Sequence, residues 1–389
     1  MTPSSRAVVA ASLQNLASGG LYAYSVLLPA FETGSGIGRA DASLIFSLAT
    51  VAFLAGVWVA ARIGRRASAR GLCTTGSAAM IVGLAWCAWA PSYVNLLIGY
   101  SVVYGVGVGV GYAGALAMVA QAPLERRGWA SGIVVAAFAL GSVAWARAYA
   151  ASIVGLGLAA TLVLAALAIV VLGALAWAIA GPPRRTEVAA AKATFSTSAD
   201  VGAPVRPWAR SSLVTLWLAF FAGASGGLAV ISQATALAGA TAPGDAAGTW
   251  AAMAVGLGNG AGRLAGGASA DHCAPHRLLA AIALTMAVAL GALAIGSGAA
   301  PAWLWLALIA IGYGALSAAV PAVLMHALPV QAFAGSYART FTAWGCAGLL
   351  APWAFGGWFA ASGRYTEALV LLAVLNAAIA LGLLARRRL

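Results

Sequence analysis

Charge is the first thing that this sequence has little of. Charged residues make up 7% of its 389 residues, whereas hydrophobic residues make up 63%. A typical soluble domain has about 25% charged residues because its surface must be hydrated. The composition therefore excludes a soluble protein of this length and indicates a chain that crosses a membrane many times.

Motifs for chemistry are also missing. The four cysteines are scattered, without the spacing of a metal or redox centre, and are interpreted as small apolar residues in or beside the membrane spans. The sequence has no Ser/His/Asp set, HExxH motif, Walker loop or dinucleotide fingerprint, and its loops are too short for a catalytic or receptor domain. We therefore predict no enzyme, no metal and no cofactor.

Long hydrophobic runs follow one another along the chain. They predict an all-α membrane protein with twelve transmembrane helices. The predicted spans are 7–30, 42–61, 71–90, 93–121, 129–151, 155–180, 211–239, 246–269, 277–297, 301–325, 335–361 and 365–385.

One long polar stretch divides these spans into two sets of six. It covers residues 181–210, is basic and rich in Pro, Ser and Thr, and is interpreted as a cytoplasmic linker between an N-terminal bundle (1–180) and a C-terminal bundle (211–389). The sequence ASGGL at residues 17–21 recurs at 224–228, an offset of 207 that several glycines share. These matches predict two parallel six-helix repeats.

The net charge of +13 has a topological meaning. If the N-terminus is cytoplasmic, 17 of the 21 Lys and Arg residues fall on the cytoplasmic side, as the positive-inside rule requires. An even number of spans then places both termini in the cytoplasm. Arginine outnumbers lysine 20 to 1 and the loops are compact, which suits a bacterial inner membrane. The partner implied by this charge is a lipid bilayer, with no nucleic acid.

Arg263 is the single charge inside the eighth span. At 1.5 Å per residue it lies roughly 12 Å inside the span end nearest Asp271. A guanidinium at that depth costs at least about 2.5 kcal/mol on insertion scales, so it either faces a cavity with a function or snorkels to the interface as an anchor. Asn259, one turn earlier, shares its face. The planar fork of arginine suits a carboxylate ligand.

Two other spans carry polar or aromatic residues on one face. Gln14 and Tyr22 share a face of the first span, and Thr340 and Trp344 share a face of the eleventh. Either these faces line a cavity, or the polar groups bond to neighbouring helices and the aromatic rings pack in the core. The sequence leaves both alternatives open, and we include all four as candidate substrate-binding residues.

Two loops, after the second and the eighth span, read ARIGRR at residues 61–66 and DHCAPHR at residues 271–277. They resemble the loop motif of the major facilitator superfamily, Gly-x-x-x-Asp-Arg-x-Gly-Arg-Arg, although Val57 and Ala61 stand where the motif has glycine and aspartate. In that family the loop braces the cytoplasmic gate. The resemblance assigns a gating role to Arg62, Gly64, Arg65, Gly267, Asp271 and Arg277.

Residues 20–29, 258–263 and 341–352 resemble one branch of that superfamily, the oxalate/formate antiporters and monocarboxylate porters. The resemblance implies alternating access of a small carboxylate that Arg263 neutralises, in a monomeric carrier. Oxalate carriers have a lysine where this chain has Trp344, so a monocarboxylate is the expected substrate. Proton-coupled relatives have an aspartate where this chain has Asn259.

The acidic residues all fall in loops or at span ends, so no carboxylate is placed to relay protons across the membrane. We therefore expect exchange or facilitated passage of a small organic anion, or symport in which the proton travels on the substrate. Two alternatives remain. One is a drug or metabolite efflux carrier of the same fold, and the other is a non-transporting membrane sensor.

Overall fold

The computed structural model describes residues 3–64, 67–119, 124–181, 210–239, 245–270, 272–296, 301–328 and 330–385. Residues 182–209 of the predicted linker, and the loop residues Arg65 and Asp271, lie outside the described residues. Within these ranges all regular structure is helical. The all-α prediction is therefore confirmed.

The helices follow the predicted spans in order. They are α1 (Pro3–Ser18), α2 (Tyr24–Ser35), α3 (Arg39–Ile63), α4 (Ala69–Trp89), α5 (Tyr93–Asn95), α6 (Gly105–Val119), α7 (Leu124–Ala180), α8 (Arg210–Leu237), α9 (Ala246–Ala270), α10 (Pro275–Ala294), α11 (Ala302–Ala327), α12 (Val330–Ser362) and α13 (Thr366–Ala385). A 3₁₀ turn, Gly19–Ala23, joins α1 to α2, and a π-helix, Leu96–Tyr104, joins α5 to α6.

Eight helical segments of the described chain are long and apolar enough to cross a membrane. One of them, Gly132–Ala180, has 49 residues. A straight helix of that length would be about 70 Å long, which is more than twice the thickness of a bilayer core. Gly157, with φ of 77°, breaks it into two spans. The joined α1–α2 segment, α9 and α12 supply the remaining crossings, which confirms the twelve-span fold.

The chain separates into two compact units. Unit 1 contains Met1–Ile37, Ile45–Ala199 and Ala242–Gly244, and unit 2 contains Gly38–Leu44, Asp200–Thr241 and Asp245–Leu389. The first six residues of α3 are thus grouped with unit 2 and the rest of that helix with unit 1. The domain bounds proposed from the sequence, 1–180 and 211–389, stay predictions.

Unit 1 has an aromatic interior next to its 3₁₀ turn. Tyr24, Phe31, Phe46 and Tyr100 are all fully buried. The ring of Tyr24 lies 5.2 Å from that of Phe46 and 5.6 Å from that of Tyr100. Tyr100 comes from the π-helix. The start of α2, directly after the 3₁₀ turn, therefore meets the π-helix in the core of this unit.

Unit 2 is built on close packing of α9 against α11. Gly258, Gly262 and Gly266 recur every four residues along α9. A Cβ atom on Gly262 would overlap the main-chain oxygen of Ile311 and would lie 2.9 Å from the amide nitrogen of Ala315. Without side chains at these positions, the two backbones come into direct contact, as in other small-residue helix interfaces in membranes.

The Gly262→Ala variant should therefore be less stable than the wild type by about 1–3 kcal/mol, because α9 and α11 must move apart. The matched control is Gly291→Ala on α10, where a Cβ atom would meet nothing within 4 Å. That substitution should be neutral or stabilising by up to about 1 kcal/mol through helix propensity. The apparent melting temperatures of the purified proteins in detergent measure both. Equal shifts in the two variants would contradict the packing argument.

Candidate functional site

The structure brings Arg263 and Asn259 together on α9. The Nε–H of Arg263 donates to Oδ1 of Asn259 at 3.1 Å, across one helical turn. Arg263 is half-buried, and Asn259 is 1% exposed. The amide oxygen therefore fixes the direction in which the guanidinium leaves the helix.

The backbone beneath this pair is held by α11. A Cβ atom on Gly314 would overlap the main-chain oxygen of Asn259 and would lie 3.0 Å from the amide nitrogen of Arg263. The Nδ2 group of Asn259 is buried and has no hydrogen-bond partner among the described residues. A buried amide N–H without an acceptor is costly. The Nδ2 group beside the guanidinium is therefore a hydrogen-bond donor that a ligand could satisfy.

The aromatic residue Trp344 of α12 has a protein partner. Its indole N–H donates to the hydroxyl of Tyr313 at 2.8 Å, and its ring stacks on Phe341 with centroids 5.2 Å apart and planes 7° apart. Trp344 is 4% exposed and Tyr313 is fully buried. The sequence left open whether the indole N–H meets a ligand or a protein group, and the structure places a protein group there.

Sequence reasoning missed Tyr313. It lies on α11 next to Gly314, so neighbouring residues of this helix contact both the Arg263 turn of α9 and the indole of Trp344. The available signal was a tyrosine deep inside a predicted span, where a phenol needs a hydrogen-bond partner. Helix α11 thereby links the arginine helix to the aromatic helix within unit 2.

The Tyr313→Phe variant should be destabilised by about 1–3 kcal/mol, because it leaves the indole N–H of Trp344 buried without its acceptor. In the double variant Tyr313→Phe, Trp344→Phe, that donor is gone as well. The two single costs should then sum to more than the cost of the double variant, which thermal unfolding of all four proteins in detergent would measure. Strict additivity would show that the hydrogen bond contributes nothing.

The hydroxyl of Thr340 is used within its own helix. It donates to the main-chain oxygen of Ser336 at 2.9 Å, and Thr340 is 2% exposed. This bond ties the hydroxyl to α12. A role for Thr340 in substrate binding stays a prediction.

Gln14 and Tyr22 belong to unit 1. Oε1 of Gln14 accepts a hydrogen bond from the hydroxyl of Ser77 at 2.9 Å. The ring of Tyr22, in the 3₁₀ turn, meets Phe138 edge to face with centroids 5.0 Å apart. Both side chains are buried in this unit. Their proposed contact with substrate stays a prediction.

The described residues of the two gating loops differ in exposure. Arg62, at the end of α3, and Arg277, in the first turn of α10, are exposed, Gly267 is half-buried and Gly64 is buried. Their gating role also stays a prediction.

Unit 2 contains a second polar cluster that the sequence did not indicate. Nη1 of Arg39 donates to the hydroxyl of Tyr365 at 2.6 Å, and that hydroxyl donates to Oε1 of Gln233 at 2.9 Å. Nε2 of Gln233 donates to the hydroxyl of Ser43 at 2.6 Å. Gln233 is fully buried, so its amide is the centre of the cluster.

Twelve spans with one arginine set in the middle of a helix are features of a membrane transporter. The profile of the Major Facilitator Superfamily matches residues 10–352. The chain belongs to this superfamily, and it is a multi-pass membrane transporter rather than an enzyme.

Solved structures share the fold at low sequence identity. A crystal structure of the D-xylose-proton symporter is 16% identical, with a TM-score of 0.73, and the match covers 97% of this chain and 96% of that one. The partially occluded inward-open form of the xylose transporter XylE from E. coli is 15% identical, with a TM-score of 0.72 and full coverage of both chains. No curated protein sequence matches the chain.

Proposed function

We propose that this transporter moves small organic anions, principally monocarboxylates, by alternating access, and that Arg263 binds the carboxylate. The observation that carries the proposal is the Arg263–Asn259 pair in the middle of α9. A carboxylate is an acceptor-only group. It could take one hydrogen bond from the guanidinium and a second from the unpartnered Nδ2 of Asn259.

The charge available in α9 favours a monoanion. Arg263 is the only ionisable residue between Ala246 and Ala270, so α9 offers a ligand one positive charge. A dianion bound there would keep one negative charge inside the membrane, where an unbalanced charge is expensive. Trp344 occupies the position where the oxalate carriers have a lysine, and its N–H is already bonded to Tyr313. The stacked pair of Trp344 and Phe341 is suited to the apolar part of a small organic acid.

The rival proposal of a cationic drug carrier has less support. A cation needs an embedded carboxylate. The acidic residues of the described helices all lie in the first or last turn of a helix, and they are Glu32, Asp41, Glu125 and Glu367. The same placement leaves no acidic residue in the middle of a described helix for a proton relay. We propose exchange or facilitated passage of the anion, or symport in which the proton travels on the substrate.

The proposed setting is a bacterial inner membrane, with a monomeric carrier and both termini in the cytoplasm. The distribution of Lys and Arg along the sequence supports this orientation. Arg6 of α1 bonds to the carbonyl oxygen of Ile179 near the end of α7, and Arg70 of α4 bonds to that of Gly181 directly after it. Three elements predicted to meet the cytoplasm therefore lie at one end of unit 1.

Counterflow in proteoliposomes tests the proposal directly. Liposomes loaded with one unlabelled compound are diluted into the same labelled compound, and the panel contains acetate, lactate, pyruvate, oxalate, succinate, D-xylose and a quaternary ammonium ion. Exchange of monocarboxylates well above the protein-free rate is expected, with the dianions slower. Exchange of D-xylose or the cation without any carboxylate would overturn the assignment.

A further inference from the structure

A crevice on unit 1 has the composition of a lipid site. It has a volume of about 240 Å³ and lies between α4 and the second half of α7. Most of its lining is apolar, including Ile81, Met118, Ile169, Val170 and Trp177. Val170 is 46% exposed and Trp177 is 56% exposed. Because these side chains belong to membrane spans, the crevice opens towards the acyl chains of the bilayer.

A cation closes one end of this crevice. The guanidinium carbon of Arg70 lies 3.6 Å from the ring centroid of Trp177, and Nη1 of Arg70 donates to the main-chain oxygen of Gly181. The Nε–H of Arg70 is buried and has no partner among the described residues. The stacking on Trp177 holds the plane of the guanidinium, while part of its donor capacity is not used by the protein.

A second cation stands beside the first. Nε of Arg6 donates to the main-chain oxygen of Ile179 at 2.7 Å. The protein bonds described for Arg6 and Arg70 go to neutral carbonyl oxygens at the C-terminal end of α7, so their combined charge is only partly balanced by the helix dipole. An anion at this point would balance it better. Basic pockets between helices at the cytoplasmic surface are suited to anionic lipid head groups.

We propose that this crevice binds one anionic phospholipid, with its phosphate on Arg70 and an acyl chain along the groove between α4 and α7. The charge complementarity at one end and the exposed apolar walls along the rest favour a lipid over a soluble anion, which would leave the groove empty. Gln14 and Ser77 lie on the inner wall of the crevice.

Native mass spectrometry of the full-length protein in detergent tests this site. The protein is titrated with phosphatidylglycerol and, separately, with phosphatidylethanolamine of the same chain length. Phosphatidylglycerol should bind more tightly, and the Arg70→Gln variant should weaken it about tenfold, because a charge-assisted bond to the phosphate is lost. The Arg147→Gln variant is the matched control, since Arg147 is an exposed arginine of the same unit outside the crevice.

A second variant tests the contribution of the groove independently of that of the charge. Ala174 lines the crevice and is exposed, so Ala174→Phe should fill the groove without disturbing the core. It should lower phosphatidylglycerol binding while keeping both arginines. Unchanged binding in both Arg70→Gln and Ala174→Phe would overturn the proposal. So would displacement of the lipid by inorganic phosphate at equal concentration, which would indicate a site for a free anion.

Discussion

Replacing Arg263 by glutamine should reduce counterflow of the preferred monocarboxylate to the rate of protein-free liposomes. The guanidinium is held inside α9 by Oδ1 of Asn259, and we expect a carboxylate bound there to be largely removed from water when the carrier is closed around it. Breaking a desolvated ion pair costs about 3–5 kcal/mol, which corresponds to a loss of binding of more than about 100-fold. Glutamine is shorter than arginine and keeps only an amide N–H donor, and it removes the charge.

Two further variants make this result interpretable. Arg364→Gln removes an exposed arginine of the same unit that pairs with Glu367 at the start of α13, and a surface pair of this kind contributes little. It should transport normally. Arg263→Lys keeps the charge but loses the planar fork, so its affinity should fall between those of the wild type and Arg263→Gln. If Arg263→Gln exchanged monocarboxylates with unchanged affinity, Arg263 would be an anchor of the helix and the proposed site would be wrong.

Features that depend on one helix at a time could be predicted from the sequence. The bounds of α9, Ala246–Ala270, follow from a run of small apolar residues between Asp245 and Asp271. The pairing of Asn259 with Arg263 follows from their spacing of four. The sequence predicts the break in α7 between 151 and 155, whereas the structure has it at Gly157. Hydropathy locates a turn only within a few residues, and the positive φ requires the glycine.

Features that depend on contacts between helices could not be predicted. The hydrogen bond from Trp344 to Tyr313 joins residues 31 positions apart, and periodicity shows only which face of its own helix a residue occupies. Two irregular helical segments differ from an α-helix only in their backbone hydrogen bonding, the 3₁₀ turn Gly19–Ala23 and the π-helix Leu96–Tyr104. Such a difference does not alter the hydropathy pattern of the sequence. The grouping of Gly38–Leu44 with unit 2 likewise has no counterpart in composition.

In the Asn259→Asp variant, monocarboxylate counterflow at neutral pH should fall by at least about tenfold, because a carboxylate beside Arg263 competes with the substrate. The substitution changes the charge with almost no change in shape, and the new carboxylate would lie where Oδ1 now accepts from the Nε of Arg263. An internal ion pair would then occupy the guanidinium and repel the substrate. The substitution would also remove the Nδ2 donor of Asn259 that we propose the substrate uses.

The transport rate of Asn259→Asp, relative to that of the wild type, should also depend on pH in a direction that can be derived. As the pH falls, the introduced carboxylate takes up a proton, its attraction for Arg263 disappears, and the rate of the variant relative to the wild type should rise. Using the ratio removes the effect of protonating the substrate, which is common to both proteins. Asn259→Leu serves as the uncharged control, with a reduced rate but a flat ratio. If Asn259→Asp and Asn259→Leu behaved alike at every pH, the loss would reflect packing on α9 and not competition for the guanidinium.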